Sequence, residues 1–293
     1  MEKSDLTNDR LKRVAIQGGV GAFHEIAARN YFKTEIEVVP CDTFENITEL
    51  LAKKEIDFGI MAIENTIAGS LIPNYVLLKE SPIKIIGEEY LRVKQNLLAL
   101  PGQKIEDLTE VHSHFIAIAQ CRNFFKNYPN IKLVESIDTA LSAQKIQEKK
   151  LVGKGAIASD LAAKMYGLEI LAPGIETNKR NYTRFLILTH KDNTGNLIED
   201  ISKASICFSL PNYQGRLSQV LSVLAFYGLD LTKIQSMPIV GKEFQYFFYV
   251  DLAFLDFEKY FQGLNAIKPL VVDLHILGEY KYSIETLENI HHQ

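Results

Sequence analysis

Residues 13–65, RVAIQGGVGAFHEIAARNYFKTEIEVVPCDTFENITELLAKKEIDFGIMAIEN, decide the fold. The opening RVAIQGG is a short buried strand running into a glycine-rich turn. GAFHEIAARNYF then sets Phe23, Ile26, Ala27 and Phe32 at helical spacing. EIEVVPC is a second strand, and TFENITELLAKKE is an amphipathic helix with Thr43 placed to cap it. FGIMAIEN is a third strand that ends in polar residues. Strand, helix, strand, helix, strand with short connections predicts a mainly parallel sheet covered by helices.

The pattern recurs downstream. KIIGEEYLRVKQNLLAL supplies strands through a crossover, FIAIAQCRNFFKNY is a helix, KLVES a strand and DTALSAQKIQEKK another helix. GAIASDLAAKMYG adds a strand and a helix before the chain returns to TRFLIL. We read residues 13–190 as two α/β lobes, with the chain crossing between them near 87–97 and again near 175–182. The cleft between such lobes is a natural place for a small ligand. A polar stretch at 189–203 reads as a linker. Residues 203–281 then run β-α-β-β-α-β, the ferredoxin-like order.

Composition narrows the classes of function. The 293 residues are 47% hydrophobic and 23% charged, with a formal net charge of −4, so no basic excess favours nucleic acid or an anionic membrane. The polar start MEKSDLTNDRLKR lacks the apolar core of a signal peptide, and no apolar run approaches a membrane span, which makes the cytoplasm the expected compartment. Cys41, Cys121 and Cys207 are scattered, as suits a reducing compartment. The HSH at 112–114 has no nearby Cys or carboxylate ligand set, so no metal is expected. The glycine turn lacks dinucleotide spacing, and no cofactor is expected.

Several strands end in hydroxyls and amides. Asn65, Thr66 and Ser70 follow FGIMAI, Ser113 and His114 precede a helix carrying Gln120, Ser159 follows GAIA, and Asn181 and Thr183 precede FLIL. Taken singly, each is a helix cap or a turn. Together at corresponding strand ends they form a cleft that suits a small carboxylate, because helix N-termini offer free N–H groups and a positive dipole end.

In that order ENTIAGS, SHFIAIAQC, DTA, GAIAS, YGLEILA and NYTRFLIL resemble the prephenate dehydratases, and GRLSQVL, LDLTKIQSMP and FFYVDL resemble the ACT unit that follows in that family. The resemblance spans residues 13–281. It implies a two-lobed catalytic domain like the periplasmic binding proteins, then an ACT regulatory domain. It also implies conversion of prephenate to phenylpyruvate with loss of water and carbon dioxide, with neither metal nor cofactor. Thr183 matches the family's acid, with Arg184 and Phe185 completing the motif and fixing it. Asn65, Ser113 and Gln120 match polar cleft positions, His114 matches a family histidine, and Thr66, Ser70, Ser159 and Asn181 rank behind them as substrate contacts. Ala22 and His24 stand where the family usually carries hydroxyls.

The ACT resemblance implies phenylalanine as effector, held between paired units of a homodimer or homotetramer. Asn212 with Gly215, Arg216 and Leu217, and Gln235 with Ser236, are the matching positions. Gln235 and Met237 replace the usual charged pair. Two other readings remain at this stage, an arogenate dehydratase and a non-catalytic amino-acid sensor.

Overall fold

The computed structural model describes residues 10–193, 200–211, 213–239, 241–243 and 245–283. The first three strands are β1 (Lys12–Gln17), β2 (Ile36–Cys41) and β3 (Phe58–Asn65), connected by α1 (Phe23–Phe32) and α2 (Phe44–Ala52). They pair in parallel, as the apolar runs predict. Thr43 caps α2 by accepting the Asn46 N–H at 3.2 Å. A short β4 (Gly69–Ser70), α3 (Ile72–Glu80) and β5 (Ile83–Arg92) complete the outward path.

The chain crosses to a second sheet at residues 93–95, between β5 and β6 (Asn96–Ala99). The second lobe holds β7 (Glu110–His114), α4 (Phe115–Phe125), β8 (Lys132–Ser136), α5 (Thr139–Glu148), β9 (Lys154–Ala158), α6 (Asp160–Tyr166) and β10 (Glu169–Ala172). Its sheet order is β10-β6-β9-β7-β8. The chain then returns to the first lobe as β11 (Tyr182–His190), which runs antiparallel between β3 and β5. That return brings Thr183 opposite Asn65 in register.

The C-terminal unit is β12 (Lys203–Ser209), α7 (Arg216–Phe226), β13 (Asp230–Pro238), β14 (Tyr246–Ala253), α8 (Phe257–Ile267) and β15 (Val272–Tyr280). Its order β13-β14-β12-β15 is the ferredoxin-like arrangement. The sequence does not announce that this sheet continues the first lobe's own. β15 joins β5 through the pair Gly278–Ile85. A Cβ on Gly278 would collide with the Ile85 carbonyl oxygen, so the seam closes only over a glycine. Among the described residues no helix is long and apolar enough to cross a membrane.

Candidate active site

A cavity of about 220 Å³ opens between the lobes. Thr183 and Phe185 of β11 line it, with Asn65 at the end of β3 and Gln95 on the crossover. His114 lines it from the end of β7 and Gln120 from α4, and Ala22, Phe23 and His24 from the start of α1. The N-termini of α1, α4 and α5 all reach it, since Ile116, Ala117, Asp138 and Thr139 also line it.

Asn65 organises the polar side. Its Oδ1 accepts the backbone N–H groups of Ile67 and Ala68, both at 2.9 Å, which fixes the orientation of the amide. Its Nδ2 then donates towards Thr183 Oγ1 at 2.9 Å, Asn181 Oδ1 at 2.8 Å and the Tyr182 carbonyl at 3.1 Å. Because the Thr183 oxygen accepts from Asn65, its own proton is left to donate elsewhere. Asn181 Nδ2 donates to Gln120 Oε1 at 2.9 Å, and Gln95 Nε2 reaches the same oxygen at 3.4 Å. One hydrogen-bonded chain thus ties both lobes to the Thr183 hydroxyl.

Aromatic and imidazole rings form the opposite side. Burial lowers the His24 pKa to about 3, so this ring is neutral at ordinary pH. It sits edge-on to Phe185 with centroids 4.9 Å apart. His114 caps α4, its Nδ1 facing the Ile116 N–H at 3.4 Å, and burial lowers its pKa as well. Ile137 is 85% exposed at the mouth, which leaves an apolar lip.

Several expected residues lie elsewhere. Arg184 points away from the cavity, because neighbouring residues of a strand face opposite ways. It is 3% exposed and donates to Glu88 at 2.8 Å, to Tyr280 at 3.0 Å and to Asp251. Lys203 reaches the same Glu88 at 2.9 Å. Burial opposes the guanidinium charge, and the Asp251 and Glu88 carboxylates more than offset it. Arg184 is therefore a bond between the first lobe and the C-terminal unit, and it touches no cavity wall.

Ser113 likewise faces away, fully buried, donating to the Ile157 carbonyl at 2.6 Å. Ser159 caps α6 and donates to the Gly21 carbonyl at 2.6 Å, a structural tie between the lobes. Ser70 receives Lys233 of β13 at 3.0 Å, on the side of the C-terminal unit. Thr66 accepts the Tyr182 N–H at 3.0 Å and donates to the Arg180 carbonyl at 2.8 Å, so it braces the loop behind the site. Asn181 is fully buried and supports Asn65 and Gln120 from behind. Asp138, Gln95 and Gln17 line the cavity without having been singled out in the sequence; their position at or just past strand ends is the signal that finds them.

Of the proposed effector positions, Asn212 lies outside the described residues. Gly215 caps α7 with φ 78°. Arg216 donates to the Leu270 carbonyl at 3.0 Å and lies over Tyr213. Leu217 is in the first turn of α7, and Gln235 bonds the Ser236 carbonyl at 2.9 Å.

Comparison with known proteins bears on this cleft. A family model described as prephenate dehydratase matches residues 14–193. The chain is 36% identical over 285 residues to arogenate dehydratase 2 of Petunia hybrida, covering 92% of this chain and 71% of that protein. It is 37% identical over 289 residues to arogenate dehydratase/prephenate dehydratase 2, chloroplastic, of Arabidopsis thaliana, covering 94% and 74%. The solved prephenate dehydratase of Arthrobacter aurescens in complex with L-Phe superposes with TM-score 0.82 at 25% identity, over 93% of this chain and 91% of that one. GqqA, described as a novel type of quorum quenching acylase, superposes with TM-score 0.83 at 28% identity, over 93% and 98%. The chain belongs to the prephenate dehydratase family.

Proposed function

We propose that this member of the prephenate dehydratase family is a carbon–oxygen lyase that aromatises a cyclohexadienyl acid by expelling water and carbon dioxide, with Thr183 as the acid. The observation that carries the reading is the Thr183 hydroxyl, turned into the cavity and accepting from Asn65, so that its proton is free for the departing oxygen. When the ring carboxylate leaves as carbon dioxide, its bonding pair enters the ring and the C–O bond opposite breaks. The hydroxide so formed needs a proton or strong hydrogen bond, and gaining an aromatic ring supplies the driving force. A weak acid in fixed geometry suffices.

Substrate carboxylates meet the N-termini of α1 and α4, whose dipoles and free N–H groups favour anions. Gln120 and Gln95 add amide groups to that side. The natural substrate is prephenate, giving phenylpyruvate, or arogenate, giving phenylalanine. We read the C-terminal unit as an ACT-type sensor of phenylalanine acting in a homodimer or homotetramer; the relative from Arthrobacter aurescens crystallised with L-Phe supports this. Incubating the purified chain with each substrate, without added metal or cofactor, and identifying the product by chromatography tests the reading. Phenylpyruvate or phenylalanine formed above the uncatalysed rate is the expected result, and neither forming overturns it.

A further inference from the structure

The cavity's charge favours one form of the substrate. Among the described residues its lining holds no lysine or arginine and a single carboxylate, Asp138. Prephenate carries two carboxylates and a keto oxygen. Arogenate carries the same two carboxylates and an ammonium in place of the keto group. The helix N-termini of α1 and α4 serve the carboxylates equally in either case.

The N-terminus of α5 is different, because its cap is a carboxylate, whereas α4 is capped by the His114 imidazole and α1 has no side-chain cap. Asp138 Oδ1 accepts the Leu141 N–H at 2.9 Å and the Gly19 N–H at 3.4 Å. Oδ2 makes no hydrogen bond among the described residues. The glycine turn after β1 is shaped around that second oxygen, since a Cβ on Gly18, whose φ is 97°, would lie 2.6 Å from it. A helix dipole offsets only about half a charge. A whole carboxylate beside a bound dianion repels it. An ammonium reverses that sign.

We propose that Asp138 is a specificity-determining residue that receives the substrate's ammonium, so that this cleft takes the 2-amino acid, arogenate, in preference to the 2-oxo acid, prephenate. The inference rests on reading the cavity as the dehydratase site. Asp138→Asn keeps an oxygen to cap α5 and removes the charge. In the wild type, kcat/KM for arogenate exceeds that for prephenate, and the variant lowers the arogenate value about 10–100-fold while raising the prephenate value.

Calorimetry on Thr183→Ala, with and without Asp138→Asn, reads the same contrast in binding with no turnover. If the wild type converts neither substrate while arogenate binding still depends on Asp138, the lyase reading fails and the assignment of Asp138 to the ammonium stands as a binding contact alone. Equal losses on both substrates, a wild-type preference for prephenate, or failure of arogenate to bind overturns the proposal.

Discussion

At the scale of single residues, the site turns on which way a strand side chain points. Thr183 and Phe185 face the cavity while Arg184 between them faces the C-terminal unit. Asn65→Ala tests the near side. The variant leaves the Ile67 and Ala68 N–H groups without their acceptor and Thr183 without its donor. We expect a loss of about 1–3 kcal/mol in stability and a kcat decrease of about 10–100-fold, read by urea unfolding and steady-state kinetics. Unchanged kcat would remove Asn65 from the site. Thr183, Asn65 and His114 were legible in the sequence as polar groups at strand ends and helix starts, and Gln120 as one carried along the following helix. Ser113 and Arg184 were misread for one reason. Alternation says that neighbours face opposite ways, but only the tertiary structure says which face meets the cleft.

Among elements, β11 is the hub, paired with β3 on one side and β5 on the other. Its buried Arg184 joins Glu88 of β5 to Asp251 of β14 and Tyr280 of β15, and Lys203 of β12 also donates to Glu88. Arg184→Met leaves buried Asp251 without its cationic partner and Glu88 with Lys203 alone, and we expect a loss of about 3–5 kcal/mol in chemical unfolding. A loss under about 1 kcal/mol would mean that the network contributes little. Beside it, burial raises the Glu89 carboxyl from 4.5 to about 7. The folded chain holds a proton there that the unfolded chain releases, so this group makes stability fall as pH rises between those values and level off above about 7. Glu89→Gln should flatten that slope and stabilise the protein at pH 8 by about 2 kcal/mol, after allowing for solvent screening. An unchanged difference between the pH 5 and pH 8 unfolding midpoints would contradict it. The strands and helices themselves were legible from periodicity. The ion network was not, because its members are spread from Glu88 to Tyr280 and only the fold brings them together.

For the whole molecule, the ferredoxin-like unit extends the same sheet that carries Thr183, through the Gly278–Ile85 seam. Sequence order revealed both units, but this junction is a single long-range pair that no local pattern encodes. Gly278→Ala forces a Cβ onto the Ile85 backbone. It should lower the unfolding midpoint and, on the proposed sensor role of the C-terminal unit, weaken any effect of phenylalanine on kcat/KM; an undiminished effect would show that the seam does not carry regulation. The central claim is that the Thr183 hydroxyl assists departure of the ring hydroxyl, and kinetics of wild type, Thr183→Ser and Thr183→Ala on the better of the two substrates test it most directly. The account predicts a kcat loss of about 10²–10⁴-fold in Thr183→Ala with little change in KM, and retention of much of the rate in Thr183→Ser, which keeps the hydroxyl. Undiminished kcat in folded Thr183→Ala, or equal losses in both variants, would contradict it.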